Sequence, residues 1–161
     1  MVKVLCPGSY DPLTLGHLDI IRRCSAAFDQ VIVAVGVNES KKGFLSYEKR
    51  LEYIKDAVRD LSNVTAVIYE GLTVDFAFET GADIIVKGVR NFEDFAYENE
   101  MTVVNLDIAR HKYGRELETL YMYSSPVHMH TSSSLVRKLA CSNLPVEKYV
   151  HNAQLLYELM K

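Results

Sequence analysis

The chain has 161 residues, which is enough for one domain with its own hydrophobic core. Its hydrophobic fraction of 48% and charged fraction of 24% are ordinary for a soluble globular protein. A formal net charge of -3 argues against a nucleic-acid-binding surface, although it leaves room for a small-anion site. The cysteines are far apart and form no C-x-x-C pair, and no apolar run is long enough to span a membrane. We therefore expect a cytoplasmic protein without membrane or nucleic-acid partners.

Short apolar runs predict five strands, at residues 2–6, 30–37, 63–69, 83–88 and 118–123. Several are almost continuous in Val and Ile, which is typical of strands buried on both faces. Apolar residues at helical spacing predict helices at 16–28, 46–61, 72–81, 91–114, 132–142 and 145–160. Ser46 is a predicted N-cap, and Gly81 and Gly114 are predicted helix ends. The alternation predicts one α/β domain over residues 1–161, with a five-stranded parallel sheet and helices on both faces.

In such a sheet, ligands bind beyond the carboxyl ends of the strands. The first of these loops lies within CPGSYDPLTLGH, residues 6–17. Gly8 permits close backbone approach, Ser9 offers a hydroxyl, and His17 falls at a helix start that attracts anions. The helix terminus also lowers the pKa of an imidazole, so a neutral His17 could donate a hydrogen bond to a phosphate. The alternative is an ordinary turn followed by an exposed histidine.

The segment HMHTSSSLVR, residues 128–137, places a run of hydroxyls before another predicted helix. This pattern indicates a second anion site, and the alternative is a helix N-cap with redundant serines. His128 and His130 could bind a metal, but no third His or Cys has a suitable spacing.

Cationic residues follow two other predicted strands. Lys87 and Arg90 flank Gly88, and Glu98 lies about two helical turns from Arg90, either facing the same edge toward a ribose or base or on the surface. Lys41 and Lys42 follow the second strand, where alone they would be ordinary solvated lysines. The chain contains neither a Walker A motif nor G-x-G-x-x-G. Together the loops predict a site where two phosphate-bearing ligands meet.

The segment PGSYDPLTLGH resembles the T/H-x-G-H motif of the nucleotidylyltransferase superfamily. With SKK, VKGVRNFEDFAYE and TSSSLVR in the same order, residues 2 to about 158 resemble the bacterial phosphopantetheine adenylyltransferase family. The resemblance implies a Rossmann-like nucleotidylyltransferase fold, a homohexamer, and transfer of AMP from ATP to 4'-phosphopantetheine. The products would be dephospho-coenzyme A and pyrophosphate, in coenzyme A biosynthesis. It also implies Mg²⁺ held mainly by phosphates and water, with no protein side chain as a metal ligand.

The resemblance implies that His17 stabilises charge on the α-phosphate and that Lys41 holds the phosphopantetheine phosphate and the transition state. Ser9, Thr73 and Lys87 would also contact phosphopantetheine. The residues implied to bind ATP are Ser9, Tyr10, His17, Gly88, Val89, Arg90, Glu98, His128, Met129, His130, Thr131, Ser132, Ser133 and Ser134.

The chain departs from the usual family pattern at several positions. Ser9 replaces Thr, Thr73 replaces an apolar residue, Lys138 replaces Glu, and residues 106–116 form a longer segment than usual. Lys87 replaces Arg, so a compact ammonium group stands where the family has a planar guanidinium that can donate two parallel hydrogen bonds to a phosphate.

Two alternatives remain beside the implied activity. One is a related nucleotidylyltransferase with another phosphorylated acceptor, such as a cytidylyltransferase. Those enzymes tend to carry H-x-G-H, whereas this chain has Thr14 at the first position. The other is a non-catalytic nucleotide or coenzyme A sensor, for which Lys87 is the one supporting feature.

Overall fold

The computed structural model describes residues 1–38, 40 and 42–161, and it confirms the predicted five-stranded parallel sheet. The strands are β1 (Lys3–Gly8), β2 (Gln30–Gly36), β3 (Val64–Tyr69), β4 (Ile84–Val89) and β5 (Glu118–Tyr123). Their order is β3-β2-β1-β4-β5, and every neighbouring pair is parallel. The chain winds outward from β1 through β2 to β3, then crosses to β4 and β5. The topological switch point therefore lies between β1 and β4, where a ligand crevice is expected.

The helices are α1 (Leu15–Ala27), α2 (Tyr47–Ala57), α3 (Thr73–Thr80), α4 (Phe92–Ile108), α5 (Ser133–Cys141) and α6 (Ala153–Leu159). A π-helical turn, Ala109–Tyr113, extends α4, and a 3₁₀ turn, Pro126–His128, precedes α5. Ser46 is the N-cap of α2, as predicted. Gly81 and Gly114 follow their helices in the left-handed region, with φ of 65° and 62°. Such a φ favours glycine, and this explains both predicted helix ends.

Two hydrophobic clusters cover the opposite faces of the sheet. Val4 and Cys6 of β1 point into the larger cluster, which also contains side chains of α1, α2, α5 and α6. Leu5 lies between them in sequence and points into the smaller cluster, formed with α3 and Ala109. This alternation follows from the pleat of the strand, and it explains why both faces required apolar residues. Within the described residues, no helix is both long and apolar enough to cross a membrane.

The predicted helix over residues 145–160 is wrong in its first half, because α6 begins only at Ala153. Val146 and Val150 are buried in the larger cluster, although their backbone is not helical. The Tyr53 hydroxyl donates to the Asn152 carbonyl at 2.9 Å and accepts from its N–H at 3.1 Å. The Asn152 side chain then accepts from the Leu155 N–H at 3.0 Å and caps α6. These contacts fix the start of the helix.

Candidate active site

Two clefts open at the carboxyl edge of the sheet, beside the switch point. The first has a volume of about 440 Å³ and the second about 770 Å³. Four residues line both clefts: Ser9, Tyr97, Glu98 and Arg137. The two cavities therefore meet at these side chains, so that ligands bound in them would come close together.

The first cleft brings together most of the residues expected to bind ATP. Those that line it are Ser9, His17, Gly88, Arg90, Glu98, Thr131, Ser132, Ser133 and Ser134. Ser132 caps α5 by accepting from the Leu135 N–H at 3.1 Å, and Ser133 donates to the Pro12 carbonyl at 2.8 Å. The start of α5 thus presents hydroxyls and amides to this cleft, an arrangement that suits an anion.

Five of the expected ATP-binding residues do not line either cleft. Tyr10 is buried, its φ is 45°, and its hydroxyl donates to the Cys6 carbonyl at 2.9 Å. Val89 is buried in the sheet, paired with Tyr123. The remaining three are His128, Met129 and His130, in the segment that follows β5.

His17 is the third residue of α1, and its ring takes part in a capping box with Thr14. The Thr14 N–H donates to His17 Nδ1 at 3.1 Å, and the Thr14 hydroxyl accepts from the His17 N–H at 3.4 Å. Because Nδ1 accepts a hydrogen bond, the neutral ring carries its proton on Nε2. Burial lowers the pKa of His17 to about 4, and the nearby Arg90 guanidinium adds to the effect. The direction matches the sequence prediction, which rested on the helix terminus instead.

Arg90 connects the end of β4 with the loop that follows β5. Its Nε and Nη2 donate to the two oxygens of Asp94 at 2.7 and 3.0 Å, and its Nη1 donates to the Thr131 carbonyl at 3.3 Å. The sequence analysis did not single out Asp94, which also lines the first cleft. Asp94 lies in the first turn of α4, four residues after Arg90, and an acidic residue at a helix start that follows a cation is a signal that could have found it.

Arg137 is the most notable functional candidate that the sequence analysis missed. It lies in α5, donates through Nη1 to the Asp11 carbonyl at 2.6 Å, and through Nη2 to the Ser134 hydroxyl at 2.9 Å. It lines both clefts. The helical spacing from Ser133 and Ser134 places Arg137 one turn further along, and that spacing was the available signal.

The second cleft is lined by three of the residues expected to contact phosphopantetheine, namely Ser9, Thr73 and Lys87. The fourth, Lys41, lies outside the described residues, while its neighbour Lys42 lines the cleft. The Thr73 hydroxyl lies 2.8 Å from the Tyr69 hydroxyl. The hydroxyls of Thr73 and Tyr69 therefore lie together at a position where the family pattern would place an apolar side chain.

Lys87 forms an ion pair with Glu98, with 2.9 Å between Nζ and Oε2. Both side chains are largely buried, and Lys87 lines only the second cleft whereas Glu98 lines both. The pair thus stands between the two cavities. The Lys87 ammonium is available to an anion in the second cleft, with Glu98 as a competing negative charge.

The other unusual features lie away from the two clefts. In the long segment 106–116, Lys112 Nζ and the Tyr113 hydroxyl bond the Asp75 carboxylate at 2.9 and 2.8 Å. The Tyr113 ring stacks on Phe78, with 4.1 Å between centroids, so this segment packs against α3. Lys138 is exposed and is absent from the lining of both clefts.

A crevice lined by hydroxyls and cations at the switch point of a parallel sheet, with a histidine at the start of the first helix, is the arrangement of a nucleotidylyltransferase. The cytidylyltransferase-like family matches residues 5–139. Among curated relatives, the phosphopantetheine adenylyltransferase of Symbiobacterium thermophilum is 43% identical over 93% of this chain and 90% of its own. That of Clostridium perfringens is 41% identical over 89% of this chain and 85% of its own. The chain belongs to the phosphopantetheine adenylyltransferase family, within these cytidylyltransferase-like proteins.

A solved structure from Vibrio parahaemolyticus, provisionally assigned as a nicotinate-nucleotide adenylyltransferase, has a similar fold. Its TM-score is 0.67 at 21% sequence identity, and the match covers 99% of both chains. At this identity the likeness concerns the fold alone.

Proposed function

We propose that the chain transfers AMP from ATP to 4'-phosphopantetheine, and that its two clefts hold the two substrates. The observation that carries the proposal is the meeting of the clefts at Ser9, Glu98 and Arg137, with hydroxyls and cations on both sides. An adenylyl transfer needs two phosphate groups brought into line, and most of its catalysis is positioning and charge stabilisation. The relatives that share this sequence pattern carry the matching name.

ATP would occupy the first cleft. The serine hydroxyls at the start of α5 would face its β- and γ-phosphates, beside the guanidinium groups of Arg90 and Arg137. Glu98 would lie toward the ribose or the base. Because Arg137 also lines the second cleft, its charge lies near the junction where the pyrophosphate would be released.

Phosphopantetheine would occupy the second cleft, with its phosphate directed toward the junction. Lys87 and Lys42 line this cleft, and Lys41 is the further lysine that we expect to act on the phosphate. Ser9 lines both clefts and would contact both substrates. Thr73 would lie along the pantetheine arm.

In the reaction, an oxygen of the phosphopantetheine phosphate attacks the α-phosphorus of ATP. A new P–O bond forms while the bond from the α-phosphorus to the bridging oxygen breaks, and pyrophosphate leaves with that oxygen. At neutral pH the attacking phosphate is largely ionised, so no general base is required. His17 donates its Nε2–H to an α-phosphate oxygen as negative charge increases there.

We also propose that Mg²⁺ takes part, bound mainly through the triphosphate and water. The carboxylates that line the first cleft are Glu93, Asp94 and Glu98. Asp94 accepts three hydrogen bonds from Arg90, and Glu98 pairs with Lys87. The serine hydroxyls in this cleft suit an ion that keeps most of its water and phosphate ligands. When bound, Mg²⁺ neutralises charge on the departing pyrophosphate.

We further propose that the protein is a cytoplasmic homohexamer. Cys6, Cys24 and Cys141 are free thiols, as expected in a reducing compartment. Helix α4 exposes a large apolar surface, which a second copy of the chain would cover.

The test is pyrophosphate release by the purified protein with Mg-ATP, with and without 4'-phosphopantetheine. We expect release only when both substrates are present, with dephospho-coenzyme A identified by mass spectrometry. Pantetheine without its phosphate and CTP in place of ATP are the matched controls. Binding of ATP without turnover would contradict the proposal and favour a nucleotide sensor. Turnover with a different phosphorylated acceptor would favour another nucleotidylyltransferase.

A further inference from the structure

A charged pair lies at the wall of the second cleft, and no step of the proposed reaction uses it. Arg50 Nε lies 3.2 Å from Asp11 Oδ1, and the two side chains are only 6% and 12% exposed. Arg and Asp are seldom buried to this extent unless they are paired and hydrogen-bonded. The position of this pair, between two cleft-lining loops, indicates a role in arranging them.

Asp11 holds the segment that leads into α2. Its carboxylate oxygens accept from the Phe44 N–H at 2.8 Å and from the Leu45 N–H at 2.9 Å. Arg50 completes the connection, because its Nε donates to the Leu45 carbonyl at 2.9 Å and its Nη1 donates to the Ser9 carbonyl at 3.2 Å. These four hydrogen bonds join the loop after β1 to residues 44–45. We call Asp11 and Arg50 the latch.

Gly43 is part of the same arrangement. A Cβ atom at this position would overlap Arg50 Nη2 and would lie 2.9 Å from the Leu45 carbonyl oxygen. The close approach of the guanidinium to the backbone therefore requires glycine, independently of any special backbone dihedral.

Both of the joined segments line the second cleft. Ser9 and Asp11 belong to the first segment, and Lys42, Gly43 and Phe44 belong to the second. A buried ion pair is often no more stabilising than apolar side chains of similar volume, so stability alone gives little reason for one here. A carboxylate and a planar guanidinium, however, fix the direction of each N–H and carbonyl that they bind.

We propose that Arg50 is a positioning residue that sets the spacing between Ser9 and the lysine-bearing segment, and thereby the rate of adenylyl transfer. The inference rests on the proposed function, since it assigns that cleft to phosphopantetheine. Arg50 acts through Asp11, the Ser9 carbonyl and the Leu45 carbonyl. A displacement of about 1 Å between reacting groups can reduce a rate by about 100-fold, so the spacing matters to turnover.

Two variants test this proposal by different routes. Gly43→Ala leaves Arg50 and Asp11 chemically unchanged but displaces the guanidinium. Arg50→Lys keeps the positive charge beside Asp11 but cannot donate from a fork to both carbonyls. We expect each variant to lower kcat by about 10- to 100-fold, with an ATP dissociation constant within about threefold of the wild-type value. Arg22→Lys is the matched control, because Arg22 pairs with Asp60 on the exposed surface.

Rates are measured well below the melting temperature of each variant, so that loss of folded protein does not enter. A lower melting temperature with wild-type kcat and KM in both variants would overturn the proposal and leave the latch a purely structural feature. If Arg50→Lys does not fold, Gly43→Ala decides the question. If the wild-type protein shows no turnover, the proposed function fails and the positioning role of Arg50 fails with it. If the wild type is active and both variants have the same kcat and KM, only the positioning role fails.

Discussion

At the scale of single residues, the chemistry of His17 depends on which ring nitrogen carries the proton. Thr14 donates to Nδ1, so the neutral ring has its proton on Nε2 and can act as a donor. Burial, followed by the charge of Arg90, lowers the pKa of His17 to about 4. A proton added below that pH would sit on Nδ1 and break the bond from Thr14. The same contacts therefore fix both the tautomer and the charge of the ring.

We expect the pH profile of kcat/KM for ATP, which reports ionisations of the free enzyme, to show no ionisation of His17 between about pH 5 and 8, because the pKa of His17 is about 4 instead of the usual 6.5 or so. Replacement by His17→Ala should lower kcat by about 10²- to 10³-fold, because one charge-stabilising donor is lost. The profile is measured from initial rates at ATP concentrations well below KM, and kcat from rates at saturating substrates.

His111→Ala is the matched control for this experiment, because His111 is an exposed histidine outside both clefts. Its rate and profile should equal those of the wild type. A titration near pH 6.5 that disappears in His17→Ala would contradict the argument, as would wild-type turnover in that variant.

Lys87 is the second residue whose position makes a specific prediction. It lines the second cleft only and reaches the first cleft only through Glu98, so removing its charge should raise KM for phosphopantetheine more than KM for ATP. A hydrogen bond to a charged group contributes about 1.5–3 kcal/mol, so Lys87→Met should raise KM for phosphopantetheine by about 10- to 100-fold. Lys87→Arg should keep KM for phosphopantetheine near the wild-type value, because a guanidinium can hydrogen-bond a phosphate and the Glu98 carboxylate at the same time.

Initial rates with each substrate varied in turn measure this difference, and Lys55→Met on the exposed surface of α2 is the control. Equal increases in KM for both substrates would place Lys87 in a general structural role. An unchanged KM for both ATP and phosphopantetheine would show that Lys87 does not contact either substrate.

At the scale of elements, the central strands β1, β2 and β4 were predictable because their burial on both faces requires nearly continuous apolar runs. The loops that meet at the active site were predictable for a related reason, since parallel strands carry their carboxyl ends to one edge. The early start predicted for the last helix failed because Val146 and Val150 are buried without helical backbone. The contacts of Tyr53 with Asn152, which are distant in sequence, together with the cap that the Asn152 side chain forms, decide where α6 begins.

The site residues that were not predicted also depend on contacts between residues distant in sequence. Arg137 reaches Asp11 across 126 positions of the chain, and no local pattern indicates such a contact. The resemblance implied that Tyr10 binds ATP, but its ring is buried in the core and its hydroxyl donates to the Cys6 carbonyl. Local patterns identified which loops carry the site, whereas long-range packing decides which side chains enter it.

At the scale of the whole molecule, α4 has its polarity reversed relative to an ordinary surface helix. Its buried residues are the polar Thr102 and Asn105. Six apolar side chains are instead exposed, by between 37% and 79%, and we call them the α4 patch: Phe92, Phe95, Tyr97, Met101, Val103 and Val104. Tyr97 and Met101 also line the clefts. A helix at a protein surface normally turns its apolar side inward. The patch also lies beside the edge strand β5, where Leu120 and Tyr123 are exposed.

An apolar surface of this kind marks a protein interface, and the implied homohexamer supplies a second copy of the chain as its partner. We expect sedimentation velocity to give a mass about six times that of one chain. Val103→Glu would place a charge at an exposed position of the α4 patch and should shift the mass to smaller species, because burying an unpaired carboxylate is costly.

Leu144→Glu is the matched control, since Leu144 is a comparably exposed apolar residue outside the α4 patch. Its mass should equal that of the wild type. A monomeric wild-type protein would contradict the assembly, and a Val103→Glu protein that keeps the full mass would show that the α4 patch is not the interface. Because Val103 lines neither cleft, the mass can be compared with turnover in the same variant. A smaller species with normal kcat would mean that each chain works alone, whereas a joint loss would mean that assembly shapes the active site through α4, which carries Glu98.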